Sequence, residues 1–461
     1  MDVSGQVHVF KCLDTYLALD VESGSLHEID ELMAELLALY PKKSKPEIWA
    51  ALAPKYGPAD VAAACGEVEA AQAEGTLFTP PAVTHWVPSG PPVLKALCLH
   101  VAHDCNLRCR YCFGDSGEFG GMRQLMSAEV AVAAVDLLLQ HSGQRPLCEI
   151  DFFGGEPLLN LPVVRETIAY ARQEGQKQGK TFKFTLTTNG VLLTDAVRRE
   201  LTALGVSLVL SLDGRPEVHD YMRPFPHGQG SYARLVPRIL AAVAADPDGD
   251  WWVRGTFTRH NRDFAADAEH LLELGIRRFS LEPVVAPPSA AYALTEADLP
   301  ELKAEYERLT RLYQQEAAAG RPFKFFHFEI DLDHGPCLAK RFTGCGAGHE
   351  YFAVAPSGDL YPCHQFVGRS GYKQGTVTTG IVRTDLVQEF RRTTLLTKDQ
   401  CRSCFARYFC GGGCHANAEL FSGRIHQPYQ LGCELERKRV ECALYLHLAG
   451  GRISSPADRI D

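Results

Sequence analysis

The sequence predicts an α/β chain in three parts. Between Val93 and about residue 290, six β-rich apolar runs alternate with amphipathic stretches, the pattern of β/α units on a parallel sheet. The first 78 residues run strands first and helices after. From Cys337 to Cys442 the chain is dense in cysteine and glycine, with few long periodic segments. A chain of 461 residues is long enough for two or three domains with cores of their own.

Residues 6–29 read as short strands, with VHVF and YLALDV as β-rich runs and ESGS as the turn. Helical patterns follow in IDELMAELLALY, SKPEIWAALAPKY and PADVAAACGEVEAAQAEG, so residues 1–78 form a small α+β or winged-helix module. The Pro-rich stretch TPPAVTHWVPSGPP (79–92) is a linker. In the array over 93–290 the strands are KALCLHVAH, LCEIDFF, KFTLTTN, VSLVLSLDG, DWWVRGTFT and RRFSLEPV. Helices such as SAEVAVAAVDLLLQH, with Ser127 as N-cap, and LPVVRETIAYARQEG lie between them. Right-handed crossovers give either an open sheet or a partial barrel. Residues 291–334 hold a bridging helix. Residues 335–448 are expected to be held by bound metal rather than by a large apolar core, and 449–461 form a loose tail.

Composition is that of an ordinary soluble protein: 46% hydrophobic, 22% charged. A net charge of −9 argues against broad binding to nucleic acid or anionic membrane. The N-terminus shows no signal peptide and the chain no apolar run long enough to span a membrane. Sixteen cysteines without an export signal point to the reducing cytoplasm, where clustered cysteines bind metal or do redox chemistry.

DCNLRCRYCF places Cys105, Cys109 and Cys112 in C-x3-C-x2-C directly after the first strand of the array. Parallel β/α folds gather function at strand C-termini. There, three thiolates can share one metal cluster and leave a metal position open. Zinc completed by His100 or His103 is the competing chemistry. Other strand ends carry Gly154-Gly155-Glu156-Pro157, Thr187 to Gly190, and Ser211 to Gly214. The glycines allow close backbone approach, and the carboxylate, amide and hydroxyl groups suit a polar small molecule. Further on, Cys401, Cys404, Cys410 and Cys414 are spaced C-x2-C-x5-C-x3-C. Read alone, that is a zinc site; eight thiolates in this region could hold two zinc ions. Cys12, Cys65, Cys98 and Cys148 fall on predicted strands or helices and read as core. Cys442 reads as a buried thiol or a substitute ligand.

C-x3-C-x-aromatic-C, with Tyr111 in the aromatic slot, and the GGEP strand end resemble the radical S-adenosylmethionine (SAM) enzymes. The resemblance implies a partial (β/α)6 TIM-like barrel and a 4Fe–4S cluster on Cys105, Cys109 and Cys112. SAM would chelate the open iron and be cleaved to a 5′-deoxyadenosyl radical. It also implies SAM contacts at Tyr111, Gly154, Gly155, Glu156, Pro157, Thr188, Asn189, Ser211, Asp213 and Arg223.

The segment SGDLYPC and the later cysteines resemble the SPASM extension, which implies two auxiliary 4Fe–4S clusters and three clusters in all. It implies one cluster on Cys345, Cys363 and Cys414, with Cys337 a candidate fourth ligand, and the other on Cys401, Cys404, Cys410 and Cys433. GCGAGHEYFAVAPSGDLYPCHQFVG and GCELERKRVECALYLHLAG are similar to maturases of six-cysteine (SCIFF) peptides; the departure is Gly114, where alanine is expected. That resemblance implies thioether bonds from cysteine sulfur to carbon in a precursor peptide. Its leader would bind the N-terminal module by adding a strand to a sheet edge. A flavodoxin- or ferredoxin-type donor would supply electrons. The alternatives are a formylglycine-forming enzyme of the anaerobic sulfatase-maturing type and, from another class, an iron–sulfur or zinc-sensing winged-helix regulator.

Overall fold

The computed structural model describes residues 6–40, 42–330, 332 and 338–450. Strands β1 (Val7–Cys12), β2 (Thr15–Asp20) and β3 (Leu26–Ile29) form an antiparallel sheet in that order. The ESGS turn is tied by Asp20, whose Oδ1 accepts from Ser23 N and Oγ, both at 2.8 Å. Three helices follow: α1 (Glu31–Leu39), capped by Asp30, α2 (Lys45–Tyr56) and α3 (Pro58–Ala73). Their apolar faces (Leu36, Ile48, Leu52, Val61, Val68) close a small core of their own. Residues 79–92 carry no regular structure but are docked: Trp86 stacks on Phe342 and the Arg391 guanidinium donates to Pro88 O at 2.7 Å.

The central array runs β4 (Ala96–His103), β5 (Gln124–Leu125), α4 (Ala128–His141), β6 (Leu147–Gly154), α5 (Leu161–Lys177), β7 (Thr181–Thr188), α6 (Asp195–Ala203), β8 (Val206–Ser211), α7 (Pro216–Met222), α8 (Tyr232–Ala245), β9 (Trp251–Phe257), α9 (Phe264–Glu273) and β10 (Arg278–Pro283). Ser127 Oγ caps α4, accepting from Val130 N. β4, β6, β7, β8, β9 and β10 are parallel neighbours in chain order. An open doubly wound sheet reverses strand order at a switch point. This one never does, so right-handed crossovers stay on one face, the arrangement a partial (β/α)6 barrel requires.

After α10 (Leu299–Ala318), β11 (Lys324–Phe325) and α11 (Leu338–Thr343) come four short strands: β12 (Tyr351–Val354), β13 (Asp359–Tyr361), β14 (Gly375–Thr376) and β15 (Gly380–Ile381). Helices α12 (Thr384–Arg392), α13 (Asp399–Arg402), α14 (Arg407–Cys410), α15 (His415–Ser422) and α16 (Gln430–Gly450) follow. The expectation of a region without an apolar core is corrected here. β12 pairs parallel to the free edge of β4, and β13 to β15 extend that same sheet. Phe352, Phe366 and Phe390 are buried, and Leu431, Leu435, Val440 and Leu444 of α16 join the main core. An edge strand as apolar as β4, buried along its whole length, demands a partner. Cys337 and the tail 451–461 lie outside the described residues. Among the described residues no helix is long and apolar enough to cross a membrane.

The N-terminal sheet docks on the C-terminal helices. The Glu22 carboxylate is buried against the Arg407 guanidinium and accepts from Tyr408 Oη at 3.0 Å. His8 stacks on Phe405 and meets Glu441 of α16 at 3.0 Å.

Candidate active site

The loop after β4 is fixed by backbone bonds to the α7 end: Arg108 N donates to Pro224 O and Arg110 N to Met222 O, both at 2.8 Å. It turns Cys105, Cys109 and Cys112 into one cavity of about 250 Å³ at the C-terminal ends of the parallel strands. Tyr111, Gly154, Gly155, Thr188, Asn189, Ser211 and Arg223 line the same cavity. Glu156, Pro157 and Asp213 stand behind its wall. Glu156 is fully buried, and its carboxylate accepts from Thr188 Oγ1 (2.7 Å), Asn189 N (2.9 Å) and Leu158 N (3.1 Å). It ties the β6 end to the β7 end instead of facing the cavity. Burial pushes this carboxyl up to about 7, against the pull of those donors. Pro157 is buried as the first residue of a 3-10 turn. Asp213 is likewise fully buried, accepting from Tyr111 Oη (2.6 Å), Arg223 Nε (3.0 Å) and Thr256 N (2.9 Å). It holds the Tyr111 ring and the Arg223 guanidinium against each other, 5.3 Å apart.

The glycines make this packing possible. A Cβ on Gly154 (φ +122°) would sit 2.3 Å from Ala102 O, and one on Gly155 would sit 2.1 Å from Asp104 O and 3.1 Å from Cys105 Cβ. At Gly114 a Cβ would strike the Phe119 ring at 2.7 Å, which explains why alanine is absent there.

The donor set fits a 4Fe–4S cluster with an open iron. Burial pushes the Cys105 and Cys109 thiols up to about 12, so unliganded they keep their protons and a metal cation is what would make them thiolates. Leu107 N (3.4 Å) and Asn189 Nδ2 (3.7 Å) already point at Cys105 Sγ, as donors do around cluster sulfur. The zinc reading loses its fourth ligand: His100 and His103 bond to each other at 3.1 Å, packed on Phe119, and neither lines the cavity.

The C-terminal thiols fall into two sets. Cys401, Cys404, Cys410 and Cys433 line a second, small cavity with Arg437. Cys345, Cys363 and Cys414 lie within electrostatic reach of one another, and burial pushes the Cys363 thiol up. Between Cys410 and Cys414 stand Gly411, Gly412 and Gly413, with φ of +68°, +92° and +75°. Three successive left-handed residues cost an L side chain about 1–2 kcal/mol each, so only glycine makes this turn cheaply. Cys442 belongs to neither set; it is buried beside Cys12 and Thr310. Cys12, Cys98 and Cys148 are buried as expected, and Cys65 is half-buried.

Residues 99–242 match the model of the Radical SAM superfamily. The chain carries a radical SAM domain. A serine-type anaerobic sulfatase-maturating enzyme of Klebsiella aerogenes is 25% identical over 355 residues, 72% of this chain and 82% of that protein. The radical SAM cyclopropyl synthase TigE of Paramaledivibacter caminithermalis is 27% identical over 373 residues, 74% of this chain and 72% of TigE. An uncharacterized Methanocaldococcus jannaschii protein is 29% identical over 138 residues; the match spans 30% of this chain and 45% of that protein. Among solved structures, anSMEcpe with bound AdoMet has a TM-score of 0.63 at 19% identity, over 78% of this chain and 100% of that one. Streptococcus suis SuiB bound to S-adenosylmethionine has a TM-score of 0.50 at 17% identity, over 92% and 97%. These structural likenesses concern the fold.

Sequence reasoning missed part of the radical SAM domain's cavity wall. Arg254 and Thr256 of β9 and Glu282 of β10 line it, as the strand-end rule applied to all six strands would have shown. Burial works to raise the Glu282 carboxyl, but His327 (2.8 Å), Arg254 and Arg439 outweigh it and hold the group well below the usual carboxylate range. His364 and Gln365, directly after Cys363, close the far side with Phe113 and Phe153. Burial, with the Arg254 charge, pushes the His364 imidazole down to about 4, so it is neutral at pH 7.

Proposed function

We propose that the protein is a radical SAM maturase of a cysteine-rich precursor peptide, forming intrapeptide thioether cross-links. One observation carries the reading: the cavity that receives Cys105, Cys109 and Cys112 extends to His364 and Gln365, the residues after Cys363. A substrate bound there would lie against the first thiol set on one side and against the residues that follow Cys363 on the other.

Cys105, Cys109 and Cys112 would hold the first 4Fe–4S cluster. Cys345, Cys363 and Cys414, with Cys337, would hold one auxiliary cluster, and Cys401, Cys404, Cys410 and Cys433 the other. When bound, the clusters and SAM would supply one-electron reduction and radical chemistry. The chain's own residues bind and orient. Arg223, fixed by Asp213, would offer its guanidinium to the SAM carboxylate. Tyr111, Gly154, Gly155, Thr188, Asn189 and Ser211 would contact SAM directly, with Glu156 and Pro157 bracing them. Phe113 and Phe153 pack against His364 and would give that wall an apolar face toward the substrate.

Among the described residues β3 pairs only with β2, which leaves its other edge open. Beside it, Leu32 and Met33 of α1 and Ala63 and Ala64 of α3 floor a groove rimmed by Glu28, Asp30, Asp60 and Glu67. An extended leader segment would add a strand there, and the carboxylates favour a basic one.

A second reading, formylglycine formation, is favoured by the sulfatase-maturating relatives. Against it, about a fifth of this chain has no counterpart in anSMEcpe. Anaerobically reconstituted protein, given SAM, a reductant and a cysteine-rich peptide with its leader, separates the two. Loss of two hydrogens with one alkylation-resistant cysteine is expected; a new aldehyde overturns the thioether reading.

A further inference from the structure

Lys398 stands between the two C-terminal thiol sets. Its side chain is buried, 2% exposed, and its Nζ donates to Gly412 O at 2.7 Å, inside the three-glycine turn. The charged or ionisable groups acting on it most strongly are four thiols: Cys401, Cys410 and Cys433 of one set and Cys414 of the other. In return it favours the thiolates of Cys401, Cys414 and Cys433. Among the described residues it forms no ion pair with a carboxylate. A buried ammonium without a counter-anion is costly. Protonated thiols do not answer it; anionic iron–sulfur clusters at both sets would.

We propose that Lys398 is a shared countercharge for both auxiliary clusters and raises the reduction potential of each. The inference rests on the ligand sets proposed above. On reduction a cluster accepts one electron from the external donor and becomes one unit more negative. Burial pulls the Lys398 ammonium toward its neutral form; anionic clusters on both sides would hold the proton on it, and the fixed charge would then stabilise the reduced form more than the oxidised one. One cation placed between two clusters would keep both within reach of the same electron. Arg437, which also lies beside Cys404 and Cys433, is paired with Glu434 and serves one set only.

The test compares the full-length wild type with Lys398→Met, Lys398→Gln and Lys398→Arg, all reconstituted anaerobically with iron and sulfide. Iron per chain and an EPR-monitored redox titration are measured. In the Met and Gln variants both auxiliary midpoints should fall, with the reduced-to-oxidised ratio at fixed potential dropping by about tenfold or more. The first cluster should be unmoved, and Arg should restore the wild-type potentials. Loss of auxiliary iron in the neutral variants but not in the Arg variant also supports the countercharge. Unchanged midpoints with iron retained, a shift in one auxiliary cluster alone, or iron loss in all three variants overturns it. Wild-type protein binding only one cluster would instead sink the underlying ligand assignment.

Discussion

Gly155→Ala tests the geometry of the first cluster site directly. The new Cβ would lie 2.1 Å from Asp104 O and 2.6 Å from Asp104 C, where van der Waals contact requires about 3 Å or more. The β4 end would have to retreat by about 1 Å. That breaks two backbone bonds: Gly155 N to Ala102 O (2.8 Å) and Glu156 N to Asp104 O (2.9 Å). Two buried bonds at about 1 kcal/mol each, plus overpacking strain of about 1–3 kcal/mol, give a loss of about 3–5 kcal/mol. Cys105 would move with Asp104, since its Cβ lies 3.1 Å from the added methyl. Urea unfolding of the apoprotein reads the stability; iron per chain and SAM equilibrium dialysis read the site. Gly66→Ala is the control: it lies in α3, nothing lies within 4 Å of its added Cβ, and helix propensity predicts a gain of about 0.5–1 kcal/mol. A Gly155→Ala protein with wild-type midpoint, iron content and SAM affinity would refute the argument.

Three further outcomes are expected. Burial raises the folded Glu156 carboxyl to about 7 from an ordinary 4.5, so the fold favours its protonated form. Its contribution to apoprotein stability is full below about pH 4.5 and is lost as pH rises to about 7, a change of about 3 kcal/mol. Glu156→Gln should remove that slope, and parallel mutant and wild-type midpoints across pH 5–8 would refute it. Glu22→Ala leaves the buried Arg407 guanidinium unpaired and should cost about 3–5 kcal/mol; Glu22→Ala with Arg407→Met should cost less than the sum of the single changes in a double-mutant cycle. Cys414→Ser should deplete the cluster proposed at Cys345 and Cys363 and spare the one at Cys401, read by EPR of each signal; equal loss of both sinks the division of ligands.

The strands and helices of the barrel were legible because each carries its own period and punctuation. Ser127, the β-rich run LCEIDFF and the glycines after it need no distant partner to be understood. What escaped the sequence depends on partners far along the chain. β12 is four residues long, and its place is decided by the edge of β4, some 250 residues earlier. Glu156 read as a ligand-facing carboxylate at a glycine-rich strand end. Its direction is set by Thr188 and Asn189 on the next strand, whose donors draw it inward. His364 escaped because its place in the wall is set by Phe113 and Phe153, which come far earlier in the chain.

The run Cys410-Gly411-Gly412-Gly413-Cys414 joins the two levels. As sequence it is a spacing of three between cysteines, and any three residues would satisfy a metal-knuckle pattern. Only residues free to take positive φ three times in succession can carry the chain from the cavity holding Cys410 to the neighbourhood of Cys363 in so short a path. A zinc knuckle would need Cys414 to close on its own set; this turn sends it away, and in doing so aims the Gly412 carbonyl at the Lys398 ammonium. The glycines therefore separate the two thiol sets and anchor Lys398 between them. A substitution at Gly412, where φ is +92° and an added Cβ would meet Leu395 Cα at 3.4 Å, should disturb both sets at once, whereas Cys414→Ser should disturb one.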